Sequence, residues 1–184
     1  MQFDFILWVL LSITCGFLVK AVDNLEDERK SKSPAKYFAA LIYCLLIGLI
    51  ITYSPFSLVF IAAFLAQFAS SKVDNYSHLL GCLVAIICII LLWNGSLLVL
   101  MSNNLTSFIA LLFFGIADEL SEKLNVKSIS DYIKYRPFLK FGSLVVSLFS
   151  SLNYFIGIIS FDFGYELFIY ISQNKKISKK ATKR

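Results

Sequence analysis

Apolar residues in this chain come in long, nearly uninterrupted runs, at 3–22, 37–53, 56–70, 79–101, 105–117, 141–159 and, more weakly, 163–172. As a helix, a run approaching about 20 residues is long enough to cross a hydrocarbon core of about 30 Å. A helix on the surface of a soluble protein keeps a charged face opposite its apolar stripe, and these runs leave no room for one. The chain is 58% apolar and 16% charged, against roughly 45–50% and about 25% in soluble proteins. The fold class read from this is all-α. A polytopic membrane bundle of about seven transmembrane helices occupies residues 1–174, and a basic cytoplasmic tail occupies 175–184.

The first run carries Asp4 before it and Lys20 after it, the reverse of the polarity of a cleaved secretory signal, so it is read as a retained span. Spans two and three meet at Pro55. A proline supplies no N–H for a helix and disfavours helical geometry at the residue before it, which predicts a tight helical hairpin. Cys15, Cys44, Cys82 and Cys88 lie inside apolar runs without a CxxC spacing, and read as buried thiols.

The charges orient the bundle. All 17 Lys and Arg residues fall at Lys20, in 29–36, at Lys72, in 123–140 or in 175–184, and none falls at 53–56, 94–104 or 160–164. Alternate loops are thus basic or free of basic residues. With seven crossings every basic segment lands on one side, which the positive-inside rule makes the cytoplasm. The N-terminus is then outside and the C-terminus cytoplasmic, with Asp4, Asp162 and Glu166 on the outer face or its edge. A six-crossing arrangement follows instead if residues 138–172 form one long, broken helix. Between the fifth and sixth runs, Ser130 is placed to cap a short interfacial helix, with a plain solvated loop as the alternative. The basic side suits contact with anionic lipid headgroups, and no aromatic and basic groove pattern points to nucleic acid.

Candidate chemistry lies at the ends of three runs. Asp23/Asp27, Asp74/His78 and Asp118/Glu122 are each spaced i, i+4, which on a helix puts both side chains on one face. The first two share a Val-Asp-Asn string (Val22 to Asn24, Val73 to Asn75) with Lys20 and Lys72 just before it, and Lys123 follows Glu122. Acidic groups at a helix C-terminus oppose the macrodipole by about 0.3–1 kcal/mol each, so three such placements call for a compensating partner. One compensation is a simple surface pair such as Glu26 with Lys30. The other is a divalent cation, because carboxylates and an Asn amide are hard oxygen ligands of the kind that join Mg²⁺ to substrate phosphate.

The stretches "DNLED" (Asp23 to Asp27) and "DELSE" (Asp118 to Glu122) resemble the aspartate-rich N-D-x-x-D and D-x-x-x-D loops of membrane prenyltransferases of the UbiA type. In the first, Asp and Asn stand in inverted order, and the second ends in Glu. That resemblance implies Mg²⁺-diphosphate held at the cytoplasmic face.

The expected function is a Mg²⁺-dependent enzyme acting on a lipid-linked phosphate or diphosphate, as a prenyl or phospholipid transferase does. Asp23, Asp27, Asp74 and Asp118 would be its catalytic residues. Those four with Glu122 would hold the metal, and Lys20, Lys72, Asn24 and Asn75 the substrate. Spans one, three and five are then expected to be neighbours, with Asp23, Asp74 and Asp118 lining one cavity. Two other classes fit the same residues: a cation or small-solute transporter, and a non-catalytic subunit bound to a membrane protein partner. The single histidine, His78, excludes a metal site built on several histidines, and no P-loop or nucleophile elbow occurs.

Overall fold

A computed structural model describes residues 2–27, 34–70, 76–93, 95–123 and 137–181, without the side chains of 2, 3, 27, 122, 123 and 175–181. The described residues form eight helices and no strand: α1 (Gln2–Asp27), α2 (Ala35–Tyr53), α3 (Ser57–Ala69), α4 (Tyr76–Leu91), α5 (Ser96–Asn103), α6 (Leu105–Lys123), α7 (Pro137–Phe149) and α8 (Asn153–Ala181). Three of them are long and apolar enough to cross a membrane, over Asp4–Glu26, Ala35–Tyr53 and Asn153–Asn174. A fourth such span forms if α4 and α5 are taken together across the break before Gly95, where φ is +77°. α3 and α7 are apolar but have 13 residues each, about 20 Å at 1.5 Å per residue.

Contacts between helices fix their directions. α1 and α8 run parallel, with Ser12 bonded to Gly157 and Phe17 edge-to-face with Phe168. α3 is parallel to α8, through Gly157 on Phe56 and Phe161 on Phe60. α2 lies antiparallel to α1, through Cys15 with Tyr43 and Glu26 with Lys36. α7 lies antiparallel to α8 through Ser147 with Phe155 and Lys140 with Asp162, and antiparallel to α6 through Asp118 with Leu139 and Phe114 with Gly142. With α2 and α4 parallel, the helices other than α5 alternate in direction along the chain. The last turns of α1, α3, α6 and α8 therefore share one end of the bundle with the first turns of α2, α4 and α7.

Small residues set how closely these helices approach. A Cβ on Gly16 would fall on the carbonyl of Phe161, and one on Gly164 on the carbonyl of Ile13. α1 and α8 thus touch backbone to backbone, and Ser12 Oγ donates to Gly157 O across the same seam at 3.0 Å. α2 and α4 repeat the device with sulfur: Gly48 faces Cys88, and Gly81 faces Cys44. In a membrane the hydrophobic effect adds little between helices, so association depends on such close packing and on interhelical hydrogen bonds. The four thiols are free and buried, as expected from the sequence.

The outer surface fits a lipid solvent. α7 buries Leu139, Gly142, Ser143, Val146 and Ser147 and exposes Phe138, Phe141, Leu144 and Leu148, so its two inward serines are packed while large apolar side chains face out. α4 likewise exposes Leu79, Leu83, Ile86, Ile87 and Ile90. The short α3 is the most enclosed helix, burying Leu58, Val59, Phe60, Ala62, Phe64 and Ala66 among its neighbours.

The α2–α3 hairpin forms as expected. Ser54 is extended (ψ 160°) before Pro55, its N–H reaches Ile50 O at 3.1 Å, and its Oγ accepts from Phe56 N at 3.0 Å. The last two runs divide differently from expectation. The chain breaks at 150–152, where Ser151 Oγ accepts the Asn153 N–H, and α8 continues unbroken through 160–164. Asp162 therefore lies inside a helix, paired with Lys140 at 3.0 Å, and does not sit on an outer loop. The antiparallel course of α7 and α8 also removes the single long helix over 138–172. Ser130 and the proposed interfacial helix lie outside the described residues.

Candidate functional site

At the bundle end shared by the last turns of α1 and the first turns of α2 and α4, beside the middle of α8, polar side chains from all four helices meet. On α1, Gly16, Lys20 and Asp23 recur at i, i+4 and i+7 and so share the face against α8. Cys15, Val22 and Glu26, at i, i+7 and i+11, share the face toward α2 and α4. The tight Gly16 crossing draws α8 close enough for Tyr165 to reach Asp23.

Three donors from three helices converge on the Asp23 carboxylate. His78 Nε2 lies 3.1 Å from Oδ1, Tyr165 donates its O–H to Oδ2 at 3.3 Å, and Lys20 Nζ is 3.8 Å from Oδ2. Lys20 also lies over the Tyr165 ring, 4.8 Å from its centroid, within reach of a cation–π attraction. The other ring nitrogen of His78, Nδ1, is 2.6 Å from the hydroxyl of Tyr43. A phenol that donates to Nδ1 leaves the proton on Nε2, where it donates to Asp23, so tautomer and ring orientation are fixed from both sides. Tyr43 is 4% exposed, whereas the Asp23 side chain is 29% exposed. The chain of bonds therefore runs from the open end of the bundle inward.

Beside it, Glu26 accepts from Lys36 Nζ at 2.8 Å and from Ser77 Oγ. Glu26 thus has a cationic partner in Lys36; Lys30, the partner expected from the sequence, lies outside the described residues.

The structure sends Asp118 elsewhere. Its two oxygens accept the backbone N–H groups of Phe138 and Leu139, at 3.0 and 2.5 Å, so it caps the first turn of α7. The adjacent Glu119 is buried as well. α1 packs on α2 and α8, and α6 packs on α3 and α7. The packing thus brings Asp23 to His78 and Tyr165, and uses Asp118 to anchor α7. Asn24 is half-buried beside Asp23 in α1, and Asp27 ends that helix. Glu122 lies in the last turn of α6. Lys72, Asp74, Asn75 and the side chains of Asp27 and Glu122 are outside the described residues. Among the described residues, no three His, Cys, Asp or Glu side chains are grouped to hold a metal ion.

Sequence reasoning reached Lys20, Asp23 and, through its Asp74 pairing, His78. It missed Tyr43 and Tyr165, which come from other helices and carry no local motif. A protein-family scan, a search of curated proteins and a search of solved structures each found no match for this chain.

Proposed function

We propose that this chain is a seven-crossing membrane protein that handles the phosphate or diphosphate of a lipid-linked substrate at its cytoplasmic face, as a transferase or hydrolase does. The alternating helix directions put every described basic segment at the end where the site lies. The positive-inside rule makes that end cytoplasmic, and the start of α1 external. The observation that carries the reading is the convergence of Lys20, His78 and Tyr165 on one anionic group at the membrane edge, where lipid headgroups lie. Lys20 and Lys36 supply charge for a departing phosphate. His78, held by Tyr43, donates its Nε2–H as a hydrogen bond to the charge developing on the phosphate oxygen, the kind of contact whose loss typically costs about 10²–10³-fold in rate.

Mg²⁺ has no place among the described residues. The oxygens of Asp23 and Glu26 face Lys20, His78 and Lys36, where a divalent ion would be repelled, and those of Asp118 are bonded to backbone. Mg²⁺ requires near-octahedral oxygen ligation, and this donor set does not fit it.

The test is turnover of isoprenyl diphosphates and CDP-linked lipids by the purified full chain in vesicles. Activity that His78→Asn lowers by about 100-fold or more supports the reading. Absence of both binding and turnover across those lipids overturns it.

A second reading, a non-catalytic membrane subunit, is favoured by one observation. The acids at Asp23, Glu26 and Asp162 each face a resident base, as a purely structural network would require. In that case His78→Asn changes thermal stability and no lipid chemistry. Transport has less support, because the polar chain ends at Tyr43 against Ala40, Cys15, Cys44 and Cys82.

A further inference from the structure

We infer that Asp23 is a resident anion in a phosphate site: its carboxylate occupies the place that a phosphate group of the substrate takes, and no divalent metal is needed there. The inference rests on the lipid-phosphate reading above. It deepens that reading by naming how the site is filled when substrate is absent.

The donors have the makeup of an anion site. An ammonium, an imidazole N–H and a phenol O–H arrive from α1, α4 and α8 and point at one carboxylate. Each is fixed by something other than Asp23. Lys20 rests on the Tyr165 ring, His78 is held through Nδ1 by Tyr43, and Tyr165 sits on α8 beside the Gly164 crossing. Donors positioned independently of the anion they bind keep their geometry when that anion is exchanged, which is the condition for a preorganised oxyanion site.

A phosphate is a better partner for this set, since it offers more acceptor oxygens and more charge than one carboxylate. Asp23 stands at the end of α1, one turn beyond Lys20, with partial access to water. It can leave by a side-chain rotation once a stronger anion arrives. The glutamate beside it repeats the arrangement with Lys36 and Ser77, so a diphosphate has a second cationic position one turn further along α1. The residues read from sequence as metal ligands are therefore, at Asp23, a stand-in for the substrate's own charge.

The opposite signs expected for Asp23→Asn make the test sharp. The full chain is placed in phosphatidylcholine nanodiscs, and binding of farnesyl diphosphate and of inorganic pyrophosphate is measured by calorimetry in EDTA and again with Mg²⁺. Wild type is expected to bind farnesyl diphosphate in EDTA. Asp23→Asn is expected to bind about tenfold tighter, the change that roughly 1.4 kcal/mol of removed repulsion produces. Lys20→Gln and His78→Asn are each expected to bind about tenfold weaker. The same tightening for pyrophosphate assigns recognition to the phosphate group alone, and tightening confined to the prenyl probe assigns it to the lipid.

Wild-type binding that requires Mg²⁺ and is abolished in Asp23→Asn overturns the stand-in role while leaving the lipid-phosphate reading in place. Full affinity in either Lys20→Gln or His78→Asn also overturns it, which decides the matter even if Asp23→Asn does not fold. No binding of either probe by any protein overturns both readings together.

Discussion

Asp118 accepts the backbone N–H of Leu139 at 2.5 Å, across 21 residues of sequence, and that of Phe138 at 3.0 Å. The first N–H groups of a helix have no partner within it. In the turn that opens α7 they are satisfied by a carboxylate from α6, whose charge also suits the positive end of the helix. Asp118→Ala is expected to cost about 1–3 kcal/mol of stability by leaving buried donors unpaired. Asp118→Asn, which keeps one acceptor oxygen, is expected to cost less. Thermal unfolding in detergent measures both. Because the role is structural, lipid-phosphate binding by folded Asp118→Asn should equal wild type. Loss of binding with unchanged stability would show that Asp118 belongs to the site after all.

The α1–α8 seam depends on two glycines. At Gly16 and Gly164 a methyl group would meet the opposing backbone, which has no rotamer to move away. Overpacking of this kind costs about 1–3 kcal/mol where side chains can adjust, so Gly16→Ala should lie at or above the top of that range. It should also move Tyr165 away from Asp23 and weaken ligand binding. Gly95→Ala, at a position with open space around it, tests a different property. Its φ of +77° is unfavourable for any side chain, so a cost of about 1 kcal/mol is expected without effect on the site.

How much of this was legible in the sequence depends on whether the cause was local. The α2–α3 hairpin was legible because Pro55 dictates it, and the apolar runs announced helices because periodicity and length are local properties. The break between the last two helices was misplaced for a physical reason. Asp162 and Gly164 interrupt an apolar run and look like loop residues. In the fold Asp162 is met by Lys140 from α7, and Gly164 admits the backbone of α1. Both residues answer to partners in other helices, which no reading along one segment can supply. Lys20 and Asp23 were likewise visible as charges at the end of a run. Tyr165, 142 residues from Asp23, looked like one aromatic residue among many.

Lys140 and Asp162 form a pair near the middle of the α8 span, with side chains 27% and 14% exposed. Lys140→Met removes the ammonium 3.0 Å from the Asp162 carboxylate and should cost about 1–3 kcal/mol. The double variant Lys140→Met with Asp162→Asn should recover part of that loss, since replacing both partners of such a pair is often nearly neutral. A double-mutant cycle on unfolding midpoints measures the coupling. Strict additivity of the two changes would mean that the pair contributes nothing.

Tyr43→Phe removes one oxygen from the buried end of the Asp23–His78–Tyr43 chain. The lost hydrogen bond should cost about 0.5–1.5 kcal/mol. It also frees the His78 ring to rotate and to take the other tautomer. The expected result is a modest drop in unfolding midpoint with a larger, about tenfold, loss in lipid-phosphate turnover, because orientation of the imidazole is what the phenol supplies. Tyr43→Phe that keeps full turnover would leave Tyr43 as packing alone.

The sidedness of the bundle can be read with cysteine reporters, because Cys15, Cys44, Cys82 and Cys88 are all buried and should stay unlabelled in the folded protein. Ser150 lies at the turn between α7 and α8, where its Oγ is 3.5 Å from Asn104 Oδ1, at the end of the bundle away from the site. Gln173 is exposed on α8, two turns beyond Tyr165 and toward the basic end. Seven crossings with an external N-terminus put these two positions on opposite sides of the membrane. An impermeant maleimide added to intact cells should therefore label Ser150→Cys, and should label Gln173→Cys only after permeabilisation. The reverse pattern would place Lys20, Asp23 and His78 on the outer face, against the positive-inside rule, and would remove cytoplasmic lipid phosphates as their ligand. Labelling of both from one side would mean that α8 does not cross at all, and the seven-crossing count would fall with it.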